Sequence, residues 1–243
     1  MTIESQLAGL RERAPRRTST TVALATGLTP GFALYDAPVG EVAVVFTPSG
    51  VRSVRLADEV DPAAVKARPP SAWAARIPQA LEEGRPGRLP LDLASVTPFR
   101  RSVLEVAATI PKGEVRSYGW LARHVGKPAA ARAVGSAMAT NPVPLIVPCH
   151  RVVRSDGHIG AYSLGGPPNK WALLRHEGAD PDQLEEMAVS GVRFLASDST
   201  RVFCVPSCHN ARRITARHLA TFRSETAAIR AGYRPCKVCR PLA

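Results

Sequence analysis

The stretch Asn141-Pro142-Val143-Pro144-Leu145-Ile146-Val147-Pro148-Cys149-His150-Arg151-Val152 sets a cysteine beside a histidine at the end of an apolar run broken by three prolines. Each proline fixes its own φ and biases the residue before it away from helix. The run is expected to be a rigid extended segment that presents Cys149 at a defined place, with His150 pointing to the opposite side. Cysteine reacts as the thiolate, so a nucleophile here needs a base or a positive neighbour to lower its pKa. The competing reading is a buried core cysteine, since free Cys is among the most buried residue types. The surrounding chain decides between the two.

The 243 residues suffice for one large domain or two to three small ones. A net charge of +12 points to a polyanionic partner, nucleic acid before an acidic membrane. Two thirds of that excess lies in residues 191–243, where ten Lys/Arg face only Asp198 and Glu225. The five cysteines fall as Cys149 alone and Cys204, Cys208, Cys236 and Cys239 together. An odd count with a Cys-x-x-Cys pair favours a reducing compartment and metal binding over a disulfide framework. No apolar run approaches ~18 residues and the N-terminus shows no signal-peptide core, so a soluble, cytoplasmic protein without a membrane partner is expected.

Residues 1–30 read as a basic tail, with a short amphipathic helix at its start and weak order over residues 1–20. Short β-rich runs at Ala33–Tyr35, Glu41–Phe46 and Val51–Leu56, punctuated by Pro38-Val39-Gly40 and Pro48-Ser49-Gly50, make residues 31–94 an antiparallel scaffold. One helix is expected near Ser71–Glu83. Thr97-Pro98 then opens a helix over Phe99–Ile110, with Thr97 as N-cap and Pro98 at the first helical position. Two further helices, from Ser117 and from Ala129 to about Thr140, flank Gly126-Lys127-Pro128 in a helix-turn-helix pattern. Ala179–Met187 is acidic and reads as a linker, placed at 180–190 between a helical unit at 95–179 and a metal module at 191–243.

The arrangement Gly113-Glu114-Val115-x-Ser117-Tyr118, Ala131-Arg132-Ala133-Val134-Gly135, Asn141-Pro142-x-Pro144 and Pro148-Cys149-His150-Arg151-Val152 resembles the O6-alkylguanine-DNA alkyltransferases. The resemblance continues through Gly160-Ala161-Tyr162-Ser163 and Leu174-Arg175-His176-Glu177-Gly178. It covers about residues 31–180 and implies an α/β (α+β) protein: a small antiparallel, ribonuclease H-like subdomain followed by a winged helix-turn-helix. It implies a monomer acting on double-stranded DNA that carries O6-alkylguanine. Cys149 is then the methyl acceptor, deprotonated by His150 through a water, with Glu177 orienting the imidazole. Asn141 orders the turn beneath the site, and Tyr118 donates a proton to the departing guanine. The target base must leave the stack, at a few kcal/mol. Arg132 fills the space it vacates, and the small Ala129, Ala130 and Gly135 let the backbone approach the minor groove. Ser163 contacts the base from the lid loop, which here is one residue longer than the family's. No diffusible cofactor is implied, and turnover is one event per molecule.

Cys204-x3-Cys208 and Cys236-x2-Cys239 suit a tetrahedral Zn²⁺ of four thiolates, whose binding would drive the folding of a small module with a thin core. His209 is a competing ligand. Phe203-Cys204-x-Pro206-Ser207-Cys208, Arg212-Arg213 and Gly232-Tyr233-Arg234-Pro235-Cys236-Lys237-x-Cys239 resemble the zinc domain of Ada-type adaptive-response proteins, in reversed domain order and with Arg201 where the family has glycine. There the first cysteine takes a methyl from a DNA phosphotriester, which makes Cys204 a second acceptor candidate and Thr200, Arg212 and Arg234 candidate phosphate contacts. Methylating a zinc-bound thiolate removes one negative charge, an electrostatic switch toward DNA. A purely structural zinc site stays open beside this reading. So does a non-enzymatic DNA-binding or regulatory protein, against which the Cys149-His150-Glu177 set argues because binding needs no nucleophile. A cysteine hydrolase would need a Gly-rich oxyanion turn near Cys149, which is absent.

Overall fold

A computed structural model describes residues 16–242. The expected amphipathic start of the chain lies outside these residues. Helix α1 (Arg16–Thr26) occupies part of what reads as a weakly ordered tail.

The scaffold is an antiparallel meander of β1 (Gly31–Ala37), β2 (Gly40–Thr47) and β3 (Gly50–Leu56), extended by the short parallel strand β4 (Val65–Lys66), in the order β3-β2-β1-β4. Two helical segments, α2 (Ser71–Ala74) and α3 (Arg76–Glu83), take the place of the single helix expected there. Pro70 N-caps the first of them, and Trp73 packs edge-on against Phe46 of the sheet.

Helix α4 (Pro98–Ala107) starts where the sequence places it, with the Thr97 side chain accepting from the Arg100 N–H. Such a cap stabilises a helix by roughly 1 kcal/mol. Helix α5 (Tyr118–His124) is capped by Ser117, and α6 (Ala131–Ala139) follows the Gly126 turn. The buried Val103, Leu104, Leu121, Val134 and Met138 join Val42, Val44, Val54 and Ile77 in one continuous core. Scaffold and helix-turn-helix are therefore packed as a unit.

Arg151 fastens that unit. It is 1 % exposed and donates to the carbonyls of Glu83 (2.7 Å), Gly84 (3.3 Å) and Ile110 (2.8 Å). Gly84 ends α3 in the left-handed region, and a Cβ there would collide with the guanidinium. The short parallel pair β5 (Arg116–Ser117) and β6 (Val152–Val153) then brings the start of α5 beside the Cys149 segment. Helix α7 (Gly166–His176) closes the site and carries the chain to Glu177.

The acidic segment expected as a linker is helix α8 (Pro181–Val189), capped by Asp180. An N-cap carboxylate, proline at the first helical position and an acidic first turn complement the exposed N–H groups there. Beyond it β7 (Phe194–Ser197), β8 (Val202–Cys204), β9 (Leu219–Phe222) and β10 (Arg234–Pro235) form a second sheet in the order β10-β8-β7-β9, and helix α9 (Glu225–Arg230) connects β9 to β10 in the chain. Strand alternation divides β7 between two small cores. Phe194 and Ala196 pack with Phe203, Ala228 and Tyr233, while Leu195 joins the four cysteines.

This module is docked on the first. Trp120 Nε1 donates to the carbonyls of Cys239 (3.1 Å) and Arg240 (3.0 Å), and Arg123 donates to Glu225 (3.1 Å) and the Pro241 carbonyl (2.8 Å). Replacing Arg151 by methionine leaves three carbonyls and a carboxylate without their partner. The expected cost is about 3–5 kcal/mol in denaturant unfolding; a loss below ~1 kcal/mol would contradict the fastening role.

Candidate active site and metal centre

Asn141 folds the segment that holds the nucleophile. Its Nδ2 donates to the Val147 carbonyl at 2.9 Å and to Cys149 Sγ at 3.2 Å, while its Oδ1 accepts from the Val143 N–H at 3.1 Å. The Val147 N–H closes on the Val143 carbonyl and the Cys149 N–H on the Val147 carbonyl, at 2.9 and 2.8 Å. The segment is thus a series of tight turns, with Leu145 at φ 70°, ending in a helical turn over Cys149–Arg151. The expected extended strand is corrected here. Prolines 142, 144 and 148 lack the N–H a strand ladder would use, and the Asn141 amide supplies the local bonds that coil the chain instead.

Cys149 is buried at 5 % exposure. Burial pushes its thiol up, opposed by the Asn141 hydrogen bond, the Lys170 charge and the Ser163 hydroxyl, all of which favour the thiolate. Lys170 has no exposed surface and donates to the carbonyls of Val152 (2.6 Å), Ile159 (2.7 Å) and Ala161 (3.3 Å). Burial lowers its ammonium to about 8, with the Cys149 charge opposing the fall, so it stays largely protonated at neutral pH.

His150 is 1 % exposed, and burial holds its imidazole below the ordinary range although Glu177 raises it. Its Nε2 lies 2.8 Å from Glu177 Oε1. Burial alone would raise the Glu177 carboxyl, but the hydrogen bonds from His150 and Arg151 bring it down to about 2. Glu177 is therefore ionised, Nε2 is the donor, and Nδ1 is the unprotonated, basic nitrogen of the neutral ring. Nδ1 is buried and has no partner among the described residues. Arg151 adds Nε and Nη2 bonds of 2.7–3.1 Å to the same carboxylate, and the Gly113 N–H adds one of 3.2 Å.

The Tyr118 phenol is pushed up by burial and by the neighbouring Cys149 charge, so it is protonated at neutral pH. Tyr162 is pushed further by burial and stands edge-on to His150 at 6.2 Å. Arg132 is exposed at the start of α6 and Ala129 in the turn before it, and open space surrounds the Cβ direction of Gly135. Ser163 is exposed on the loop before α7.

In the second module Cys204, Cys208, Cys236 and Cys239 are all buried, with their sulfurs within 4.8 Å of one another. Four sulfurs bound to one zinc at about 2.3 Å stand roughly 3.8 Å apart, so the set fits Zn²⁺ with minor closure. Asn210 Nδ2 and the Val238 N–H point at Cys236 Sγ, 3.5 and 3.4 Å away, as donors that favour a thiolate. His209 is exposed and outside the cluster, which removes it as a ligand.

A cavity of about 520 Å³ lies on the outer side of the cluster, and Cys204 is the member of the four that lines it. Thr200 and Arg234 line it, joined by Arg213 and Arg217. Arg212 does not line this cavity: it is exposed and reaches the other module, where its Nη2 donates to the Gly113 carbonyl and its Nη1 to the Gly178 carbonyl. Arg201 sits at φ 53°, a left-handed conformation that explains a glycine preference, and stacks 4.1 Å over the Tyr233 ring.

Sequence reasoning missed the roles of Arg151, Lys170, Arg213 and Arg217. Arg151 falls inside a quoted motif and Lys170 between two of them, and their burial as charges was the missing signal. The last two belong to the Arg-rich run 212–217.

Residues 98–179 match the model of the 6-O-methylguanine DNA methyltransferase DNA-binding domain, and residues 183–241 that of the metal-binding domain of Ada. The methylated-DNA–protein-cysteine methyltransferase of Homo sapiens is 39% identical over 162 residues, covering 59% of this chain and 78% of the human protein. The chain belongs to the methylated-DNA–protein-cysteine methyltransferase family. The methyltransferase of Shigella flexneri is 50% identical over 82 residues, 34% of this chain and 47% of that protein. The first curated relatives are thus spanned over about half their length or less, 47%, 41% and 41%. The bifunctional transcriptional activator/DNA repair enzyme Ada of Escherichia coli is 34% identical over 166 residues, 63% of this chain and 46% of that protein. The crystal structure of Mycobacterium tuberculosis OGT in complex with DNA superposes with a TM-score of 0.53 at 33% identity, covering 63% of this chain and 98% of that one. Among the described residues no helix is long and apolar enough to cross a membrane.

The depressed Glu177 carboxyl makes this methyltransferase-family fold sensitive to acid. A group held below its ordinary value of 4.5 adds stability that is complete above that pH and is lost as pH falls toward about 2. Unfolding measured from about pH 6 down to pH 3 should show the loss in the native chain and a flatter profile in Glu177→Gln. Parallel profiles would contradict the assignment.

Proposed function

We propose that the protein repairs DNA by moving the alkyl group of O6-alkylguanine to Cys149, once per molecule. The observation that carries this reading is the bonded line from Glu177 to His150 beside a buried cysteine under an amide donor. Cys149 gives its proton to His150 Nδ1 through a water molecule. The thiolate attacks the methyl carbon, the sulfur–carbon bond forms as the oxygen–carbon bond breaks, and guanine keeps the electron pair. Tyr118 protonates the departing base and recovers its proton through the relay. The Lys170 charge supports the thiolate, and Asn141 Nδ2 holds the sulfur in place.

Double-stranded DNA is the partner this chemistry needs. The damaged base leaves the stack at a few kcal/mol. The exposed Arg132 takes its place, and Ala129 and Gly135 let the helix approach the backbone. Ser163 contacts the extruded base. The protein acts as a monomer in the cytoplasm, on DNA. The organisation is the basic start 1–30, scaffold 31–94, alkyl-transfer unit 95–179, connecting segment 180–190 and zinc module 191–243.

A second reaction is favoured by the cavity that Cys204 shares with Thr200, Arg213, Arg217 and Arg234. Several arginines around one thiolate suit a phosphate backbone, and a methylphosphotriester there would give its methyl to Cys204. Bound zinc would hold Cys204 as a thiolate and organise the module. One experiment tests both transfers: incubation with an O6-methylguanine duplex, or with backbone-methylated DNA, then intact mass and peptide mapping. The expected result is one methyl on Cys149 from the first, abolished in Cys149→Ala, and one on Cys204 from the second. Multiple turnovers, or no methyl on Cys149, would overturn the main reading. Methyl confined to Cys149 with zinc bound would leave the second module a structural one.

A further inference from the structure

The loop that carries one zinc ligand is the loop that grips the alkyl-transfer unit. Ser207, 4 % exposed, accepts from the Val115 N–H at 2.8 Å and donates to the Val115 carbonyl at 3.1 Å. The His209 N–H donates to Glu114 Oε1 at 3.0 Å, and Glu114 is itself buried against Arg116. These residues flank Cys208 on both sides. The Arg212 N–H donates back to the Cys208 carbonyl at 3.2 Å, fixing the helical turn Ala211–Arg213 on the metal loop.

From that turn the Arg212 guanidinium spans two carbonyls, Gly113 and Gly178. Both adjoin Glu177. Gly178 is its neighbour in the chain, and the Gly113 N–H donates to Glu177 Oε2 at 3.2 Å. A Cβ on Gly113, at φ 73°, would lie 2.6 Å from the Glu177 carbonyl oxygen, so the two segments are already at closest approach. A line of hydrogen bonds therefore runs from Cys208 through Arg212 and Gly113 to Glu177 and His150, the chain neighbour of Cys149.

We propose that Arg212 is a positioning residue for Glu177, by which the zinc module holds the carboxylate in register with His150. This rests on methyl transfer to Cys149 as read above. It assigns Arg212 a role other than phosphate contact, and it makes the metal loop part of the support of the other module's acceptor. A guanidinium suits the task because its planar fork reaches two carbonyls at once. Small displacements of a group that orients a base cost rate without loss of the fold.

The test is single-turnover transfer from an O6-methylguanine duplex at saturating protein, across pH, with Arg212→Met and Arg212→Lys in the full zinc-loaded chain. Zinc content and affinity for an undamaged duplex are measured alongside. Arg212→Met should lower the saturated rate about tenfold or more and move the rise of rate with pH downward, because a poorly held Glu177 raises the His150 imidazole less and leaves it a weaker base. Zinc content and duplex affinity should stay as in the native chain, and Arg212→Lys should recover part of the rate. A native saturated rate and pH profile in Arg212→Met would overturn the proposal, as would a loss confined to duplex affinity. Should Arg212→Met not fold, Ser207→Ala loosens the same loop and must show the same pH displacement; its absence is equally fatal. Native protein that leaves no methyl on Cys149 marks instead the failure of the underlying reading.

Discussion

The buried carboxylate of Glu177 receives hydrogen bonds from His150, Arg151 and the Gly113 N–H, and those three donors lead into three different parts of the molecule. Through Arg151 it reaches the end of α3 and the Ile110 carbonyl, where scaffold and helix-turn-helix meet. Through His150 it reaches the nucleophile. Through Gly113 it reaches the docked zinc module. An isolated carboxylate could not be held charged at such burial, since its desolvation far exceeds a single neutral hydrogen bond. The Arg151 guanidinium and the His150 and Gly113 N–H groups keep it ionised, and its ionisation in turn fixes the proton on Nε2 and leaves Nδ1 basic.

The same economy governs Cys149. Burial opposes the thiolate, so the site provides donors and charge that matter only when the sulfur is negative: the Asn141 amide, the Lys170 ammonium and the Ser163 hydroxyl. None of these groups bonds the thiol strongly as a proton acceptor. A cysteine kept protonated at rest and stabilised when ionised suits a nucleophile that must survive until a damaged base is beside it. Lys170 adds a mechanical part, since it ties the Val152, Ile159 and Ala161 carbonyls into one support beneath α7.

Much of this was legible in the chain. Thr97-Pro98 and Ser117 mark helix starts by capping chemistry, and the structure uses both as caps. The Cys-x3-Cys and Cys-x2-Cys pairs converge on one cluster. The Cys149 segment was misread because proline content was weighed without the Asn141 side chain, whose bonds are short-range yet depend on a fold that periodicity does not report. The acidic run after Ala179 reads as a spacer by composition, but its charges sit where a helix N-terminus favours them. The docking of the two modules was not legible at all. Ser207, Glu114 and Arg212 are ordinary polar residues in sequence, 92 or more positions from Val115, His209 and Gly113, and only the assembled surfaces make them complementary.

The claim that most of the structure serves is that the Glu177–His150 pair makes Cys149 reactive. Its most direct test is the single-turnover rate of methyl transfer from an O6-methylguanine duplex to Cys149 in Glu177→Gln, with folding verified at neutral pH. The account predicts a fall of about 10²–10⁴-fold, the range of a general base lost, with Cys149 still present and unmodified. A rate equal to that of the native chain would contradict it.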